Sequence, residues 1–457
     1  IVACAYLEGD NVYTNHLLAQ MMQEGFFPDR VTYVTMISMV RINSILDGKR
    51  IHASIISNPS ECDISLENAL LSMYGKCGLF GQVLEILSNM LHWDKVTLIN
   101  VLSACTQPKN VMMGRFIHGC LVDYGCIRDS IGLVNALMSM YSRCGCLHET
   151  CRVFENAPKH DNVSWSILMS SNNEYGYEME ALCHFGEMQK QGFVADKVVL
   201  LNSLSACARL GREIGGKCIH TLIMINIELE DDIEIRNALI DMYSKCGALL
   251  EARKMFEMTL KKDVVLWTSI ISAYADFGLS SIAIQLYYQA ILDGFDTNKC
   301  ICLAGLKACV ASSMASLTYV MLIHHVIMEK SYLYHDVMVG NALIHVYTKC
   351  GIGSLEDAYK VFVGLAYRTI VSWNAMLSAY LEAGYAEKAF QLFVEMQDED
   401  GLLPYYLTIV IILQACTFIA EKWKDKGILL EIGRGLHAYA RRNGFESNEL
   451  IGSTLVN

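Results

Sequence analysis

The sequence predicts an all-α fold, a right-handed superhelical α-solenoid built of helix-turn-helix repeats. Three observations predict it. One phrase is written four times: NALLSMYGKCG from Asn68, NALMSMYSRCG from Asn135, NALIDMYSKCG from Asn237 and NALIHVYTKCG from Asn341. A ruler of 102 residues runs along the chain, from Cys144 to Cys246, from Cys105 to Cys207 to Cys309, and from His118 to His220. The 457 residues include only 5 prolines, so helical runs are little interrupted. A catalytic motif is needed once. A phrase that drifts in its side chains but keeps its frame is a structural unit laid down in series.

Each 102-residue period divides into three units. Residues 162–196 begin NVSWSILMSS, residues 197–232 begin KVVLLNSLSAC, and residues 233–263 contain NALIDMYSKCG. Their lengths are 35, 36 and 31. Each reads as two helices. In the third, Ala238, Leu239, Met242 and Tyr243 fall at helical spacing before Gly247 stops the helix. Leu250, Ala252, Met255 and Phe256 then share a second apolar face, and the closing Asp263 is placed to start the next turn. One such pair cannot bury its stripe alone, so neighbours must stack.

The same division runs through the chain. A partial standard unit spans 1–29, followed by a variant-long unit at 30–63 and a short one at 64–94. Variant-long 95–130 and short 131–161 come next, with the 67 residues from Cys77 to Cys144 marking a missing standard unit. Standard, variant-long and short units follow at 162–196, 197–232 and 233–263, and again at 264–298, 299–336 and 337–369. A standard unit at 370–405, a variant-long unit at 406–448 and the start of a short unit at 449–457 complete it. The unit 406–448 carries a charged insertion, EKWKDKGIL from Glu421, expected to be a surface loop.

Composition narrows the function. Hydrophobic residues make up 53%, yet the longest apolar stretch, LTIVIIL at 407–413, falls far short of a bilayer-spanning helix. No membrane partner is expected. A net charge of −12 weighs against nucleic-acid binding driven by bulk electrostatics, although it does not report how charge divides between faces. The 18 cysteines contain no CxxC pair, and Cys144/Cys146 and Cys300/Cys302 do not fit a zinc ribbon. Cys77, Cys144, Cys246 and Cys350 each precede a glycine at one place in the repeated phrase, which reads as packing. So many thiols fit a reducing compartment. Neither a His-x-Glu…Cys-x-x-Cys deaminase signature nor a phosphate-binding glycine loop occurs, so no catalytic residue, metal, cofactor or small-molecule substrate is expected. His52, His118, His220, His325 and His437 recur at one place in the variant-long units, and a catalytic base repeated five times is implausible. Trp165, Trp267 and Trp373 recur near the start of standard units and read as wedges between helices.

The alternation of standard, variant-long and short units resembles the pentatricopeptide repeat (PPR) family, specifically its plant PLS subclass with P, L and S repeats. The resemblance is carried by VSWNAMLSAYLEAG at 371–384, LLNSLSAC at 200–207, IGRGLHAYARRNGFES at 432–447 and NALIDMYSKCGALLEARKMF at 237–256. It implies a fragment truncated at both ends and lacking E/DYW domains, since the chain begins at Ile1 and stops within a further copy of the phrase. It also implies single-stranded RNA as partner, read one base per repeat in organellar RNA processing or C-to-U editing. Editing cofactors or a deaminase acting in trans are the further partners it suggests. The organelle would be a mitochondrion or chloroplast, with any transit peptide outside this chain. The alternative class is a peptide-binding α-solenoid scaffold of tetratricopeptide type.

The family's base-reading pair maps onto the fifth and closing residues of each unit. Asn68/Asp94, Asn135/Asp161 and Asn237/Asp263 resemble the uridine pair, Ser166/Asp196 a guanosine pair and Thr268/Asn298 the adenosine pair. Asn341/Thr369 and Asn374/Tyr405 keep a pyrimidine-type Asn with departing closing residues. Variant-long units place Val34, Ile99, Leu201, Leu303 and Val410 fifth, where no base can be hydrogen-bonded. The expected site is U-n-U-G-n-U-A-n-Y-Y. Val163, Val265 and Val371, with Val31, would sandwich bases by apolar contact. Helix capping alone would also explain the Asn and Asp at these places, but it explains less well why the standard units vary Ser, Thr and Asn at one place, and core packing is the alternative for the valines.

Overall fold

Each apolar stripe of the sequence becomes one helix of a pair. A computed structural model describes residues 21, 24, 28–39, 45–57, 63–90, 92–106, 110–123, 125, 130–226, 229, 232–295, 298–310, 317–330, 336–351, 354–398, 402–422, 427–445, 451, 452 and 454. The partial units at 1–29 and 449–457 lie almost wholly outside them. Helices are the only regular elements among the described residues. The chain forms two compact units, Ile1–Ile225 and Asn226–Asn457.

The first unit holds α1 (Arg30–Met39), α2 (Ile45–Ser57), α3 (Ile64–Lys76), α4 (Phe80–Asn89), α5 (Lys95–Ala104) and α6 (Val111–Asp123). It continues with α7 (Ile131–Arg143), α8 (Leu147–Asn156), α9 (Asn162–Glu174), α10 (Glu178–Lys190), α11 (Lys197–Leu210) and α12 (Glu213–Ile225). The second holds α13 (Ile233–Lys245), α14 (Leu249–Met258), α15 (Val264–Asp276), α16 (Ser280–Leu292), α17 (Lys299–Val310) and α18 (Leu317–Glu329). Its remaining helices are α19 (Val337–Lys349), α20 (Leu355–Gly364), α21 (Ile370–Glu382), α22 (Ala386–Asp398), α23 (Tyr406–Lys422) and α24 (Gly427–Arg442). Odd-numbered helices open the pairs. Within each unit every odd helix packs on the next odd helix, while helices such as α4, α8, α16 and α20 bridge their own partner and the following pair. This is an all-α solenoid.

The repeated phrase has a direct physical reading. Its tyrosine and apolar residues are core: Leu70, Leu71 and Tyr74 of α3, like Leu137, Met138 and Tyr141 of α7, are buried. Its Cys-Gly ends the helix. Gly145 takes φ 82°, a left-handed conformation that a side chain would strain, and the Cys146 N–H then reaches back to the Tyr141 carbonyl at 2.9 Å. Gly247, at φ 80°, repeats this turn after α13.

Aromatic wedges join short units to the standard units that follow. Trp165, Trp267 and Trp373 are each only 1% exposed. Each meets a phenylalanine of the preceding helix edge to face: Phe154 at 4.7 Å, Phe256 at 4.7 Å and Phe362 at 4.9 Å between ring centroids. Their burial leaves no indole face for a base.

Histidine ties join variant-long units to the short units that follow. His52 Nδ1 lies 2.9 Å from the Tyr74 hydroxyl, His118 Nδ1 3.0 Å from Tyr141, and His324 Nδ1 2.7 Å from Tyr347. The third tie corrects the sequence reading, which assigned this place to His325. His325 is exposed and sits 3.5 Å from Glu329. The structure also shortens the expected loop at 421–429. α23 runs through Lys422 and α24 starts at Gly427, so helix enters the insertion from both sides, and only 423–426 lie outside the described residues.

Burial pushes the His52, His118 and His324 imidazoles below their ordinary 6.5; Glu85 and Asp357 partly oppose this at His52 and His324, and Arg152 adds to it at His118. Such histidines bind protons more weakly folded than unfolded, so their stabilisation is full above the ordinary value and is lost as pH falls through it. Urea unfolding should show a lower midpoint at about pH 5.5 than at about pH 8, and replacing all three histidines by Gln should flatten the difference. Trp267→Ala should cost about 3–5 kcal/mol in the same assay, as large-to-small aromatic truncations in a core do.

Candidate nucleic-acid interface

The first turn of every odd helix needs partners for its free N–H groups. In most repeats those partners come from the last residue of the preceding unit, whereas Ser130 before α7 makes no side-chain cap. Asp94 Oδ1 accepts the Thr97 N–H at 2.7 Å, Asp161 the Ser164 N–H at 2.8 Å, Asp196 the Val199 N–H at 2.9 Å and Asp263 the Leu266 N–H at 2.8 Å. Asn298 caps Ile301 at 3.0 Å and Thr369 caps Ser372 at 3.4 Å. Capping is therefore a real function of these closing residues.

Capping also holds the closing residue beside the fifth residue of its own unit. Asn68 Nδ2 donates to Asp94 at 3.1 Å, Asn135 Nδ2 to Asp161 at 3.1 Å and Asn237 Nδ2 to Asp263 at 3.3 Å. These three couples are joined directly. The other four are not. Ser166 is buried, and no hydrogen bond joins it to Asp196 among the described residues. Thr268 turns its hydroxyl back to the Val264 carbonyl at 2.7 Å while Asn298 caps α17. Asn341 Oδ1 is buried without a partner. Asn374 bonds Thr408 rather than Tyr405, whose exposed ring packs edgewise on Tyr406 and Phe445.

The Thr97 N–H is the main force holding the Asp94 carboxyl below its usual range. At Asp161 burial pushes upward, and the Ser164 N–H, the Asn135 amide and the Ser164 hydroxyl together more than offset it. Both carboxylates therefore stay ionised, each an acceptor held in place.

Second residues lie on the surface beside these couples. Val31, Val163, Val265 and Val371 each leave more than half their area open, which removes the core-packing explanation. Val96, Val198 and Met338 occupy the same register and are equally open, although the sequence reading passed over them. Ile99, Leu201 and Leu303, fifth in the variant-long units, are half-buried, and Val410 is buried.

Two further groups escaped the sequence reading. Asn100 Nδ2 grips the Asn68 carbonyl at 3.0 Å, and Asn202 Nδ2 grips the Ser166 carbonyl at 3.3 Å. Hydroxyls third in the following helix, Ser164 and Thr408, bond the Oδ1 of Asn135 at 2.7 Å and of Asn374 at 2.8 Å. The available signal was a polar residue recurring between valine and tryptophan in the VSW triplets at 163–165 and 371–373.

Stacked helix pairs, several of them opening on a polar couple, define a modular repeat protein. Sequence profiles of the PPR repeat match residues 68–94, 133–160, 163–193, 235–264 and 265–295, and a PPR repeat family profile matches 368–417. The chain belongs to the pentatricopeptide repeat family. It is 30% identical over 448 residues to a mitochondrial pentatricopeptide repeat-containing protein of Arabidopsis thaliana, covering 96% of this chain and 41% of that protein. A chloroplastic relative from the same plant is 29% identical, over 78% of this chain and 57% of its own. The chain spans about half the length of the curated relatives it matches. The crystal structure of the maize pentatricopeptide repeat protein PPR10 superposes with a TM-score of 0.54 at 15% identity, covering 100% of this chain and 80% of PPR10, a likeness of fold.

Asp161→Ala removes both the α9 cap and the partner of Asn135. It should lower stability by about 1–2 kcal/mol in urea unfolding, whereas Asp161→Asn, an equally good cap, should cost much less.

Proposed function

We propose that this chain is a sequence-selective single-stranded RNA binder of the PLS type that reads one base per repeat. It would serve as a site specificity factor in organellar RNA processing or C-to-U editing. The observation that carries the proposal is the Asn–Asp couple joined at 3.1 Å in two repeats and 3.3 Å in a third, always beside an open apolar residue or at the same register as one. A fixed amide and a fixed carboxylate offer one donor side and one acceptor side to a base edge, and a neighbouring valine supplies apolar contact to a base face.

Asn68/Asp94, Asn135/Asp161 and Asn237/Asp263 would read uridine, Ser166/Asp196 guanosine, Thr268/Asn298 adenosine, and Asn341/Thr369 and Asn374/Tyr405 a pyrimidine. Val163, Val265 and Val371 would sandwich the bases. The chain would bind without catalysing, and any deaminase or editing cofactor would act in trans or from sequence beyond this chain. Relatives named as mitochondrial and as chloroplastic support an organellar setting of either kind.

Anisotropy titration against an RNA carrying U-n-U-G-n-U-A-n-Y-Y, and against one with its U, G and A letters exchanged, tests the reading. At about 1 kcal/mol for each mismatched edge hydrogen bond, the exchange of several letters should weaken binding by at least ~100-fold. Equal affinity for both RNAs, or affinity for neither, would instead favour a peptide-binding scaffold. Replacing Val163, Val265 and Val371 together by Ala should weaken binding to the cognate RNA while changing stability by no more than about 0.5 kcal/mol per site, as exposed substitutions do.

A further inference from the structure

Asn374 sits in the first turn of α21 with 8% of its surface exposed, and Thr408, third in the following first helix α23, is fully buried. The Thr408 hydroxyl accepts the Tyr405 N–H at 3.3 Å and donates to Asn374 Oδ1 at 2.8 Å. A hydroxyl has one proton to give. Here Asn374 receives it, so the amide is oriented with its oxygen toward Thr408 and its NH2 group directed elsewhere.

The other repeats make the contrast. Thr97 gives its proton to Asp94 at 2.8 Å, and Asn68 Oδ1 stays buried without a partner. Leu266 has no hydroxyl, and Asn237 Oδ1 is likewise without one. Ser372 bonds Thr369 at 3.2 Å, and Asn341 Oδ1 has no partner. Ser164 lies 2.7 Å from Asn135 Oδ1 and 2.9 Å from Asp161 Oδ1, so one proton is contested by two acceptors. Among the described residues, only where Tyr405 replaces the carboxylate does a third-position hydroxyl serve the amide oxygen unopposed.

We infer that Thr408 is a positioning residue that fixes Asn374 as a hydrogen-bond donor and thereby makes the repeat 370–405 prefer cytidine to uridine. The inference rests on the RNA reading proposed above. The two pyrimidines differ at N3, which is an acceptor in cytosine and an N–H donor in uracil. In a repeat closed by Asp, the carboxylate can take the uracil N–H. The repeat 370–405 has no carboxylate, and its amide NH2 matches the cytosine acceptor. Tyr405 would confine the base by its exposed ring.

The test uses the whole chain and four RNAs that differ only at the base facing this repeat. The wild type should favour cytidine over uridine by about 5- to 10-fold, the worth of one net hydrogen bond. Thr408→Val, an isosteric change without a donor, should bring that ratio close to one while leaving the penalty for exchanging the uridine opposite Asn237 unchanged. Thr408→Ser should restore the preference. A general structural role would instead weaken all four RNAs equally. Tyr405→Asp, at an exposed place that does not endanger folding, should move the preference to uridine, and it decides the matter if the valine variant does not fold. A wild type without cytidine preference, a valine variant that keeps it, or an aspartate variant that keeps it overturns the inference. A wild type that ignores the letter opposite Asn237 overturns the RNA reading itself.

Discussion

The free N–H groups of most first helices are capped by a side chain that belongs to the preceding repeat, and the geometry of the candidate reading couples depends on this constraint. The closing residue cannot wander, because its oxygen is held by the third N–H of the next helix. It also lies within hydrogen-bond reach of the fifth side chain of its own repeat, one turn into the neighbouring first helix. A single local requirement of helix termination therefore sets the spacing of the candidate reading couples. Capping and base reading are not competing explanations of Asp94, Asp161 or Asp263. At Asp94 and Asp161 the same Oδ1 takes the cap N–H and the asparagine amide, and at Asp263 the cap takes Oδ1 while the amide takes Oδ2, so capping and the couple are made together.

Two kinds of side-chain tie keep these first helices in step. The Phe–Trp contacts, all near 5 Å and edge to face, are apolar and insensitive to pH. They lock each short repeat to the standard repeat after it. The His–Tyr hydrogen bonds lock three variant-long repeats, 30–63, 95–130 and 299–336, to the short repeats after them, at 2.7 to 3.0 Å. Tyr347 is pushed up to about 12, mainly by burial, so the phenol stays protonated and can donate to the imidazole. The alternation of repeat types in the sequence is thus an alternation of joint chemistry.

Much of this was legible in the sequence, because the signals were periodic. The first helices begin at Arg30, Ile64, Lys95, Ile131, Asn162, Lys197, Ile233, Val264, Lys299, Val337, Ile370 and Tyr406, the opening residues of the units divided by the 102-residue ruler. A repeated pattern averages away local ambiguity. What the pattern could not carry was the side chain's direction. Val163 could as well have faced the core as the surface, since a first-turn position borders both. The choice between His324 and His325 turned on the longer unit 299–336, where the ruler slips. Whether Thr268 would face Asn298 or bend back to Val264 is a rotamer choice, and a threonine in a helix has both available. The role of Thr408 depended on which of two acceptors received one proton, and sequence spacing does not encode that.

The acid balance of the chain, −12, takes on a different meaning once the carboxylates are located. Several sit at the repeat junctions, where they are partly neutralised by N–H groups and amides, and in two variant-long repeats by a cation. Arg30 lies 2.8 Å from Asp63, and Lys299 lies 2.8 Å from Asp336. These are the opening and closing residues of the same repeat, so the charge is balanced where the fifth residue is apolar. Among the described residues no cation pairs with Asp94, Asp161 or Asp263 of the Asn–Asp couples. Under the RNA reading, an ionised carboxylate beside a nucleobase repels phosphate and rewards a base N–H. Such a surface draws discrimination from base edges and little affinity from the backbone, and that suits a long array of weak, selective sites better than one strongly basic groove.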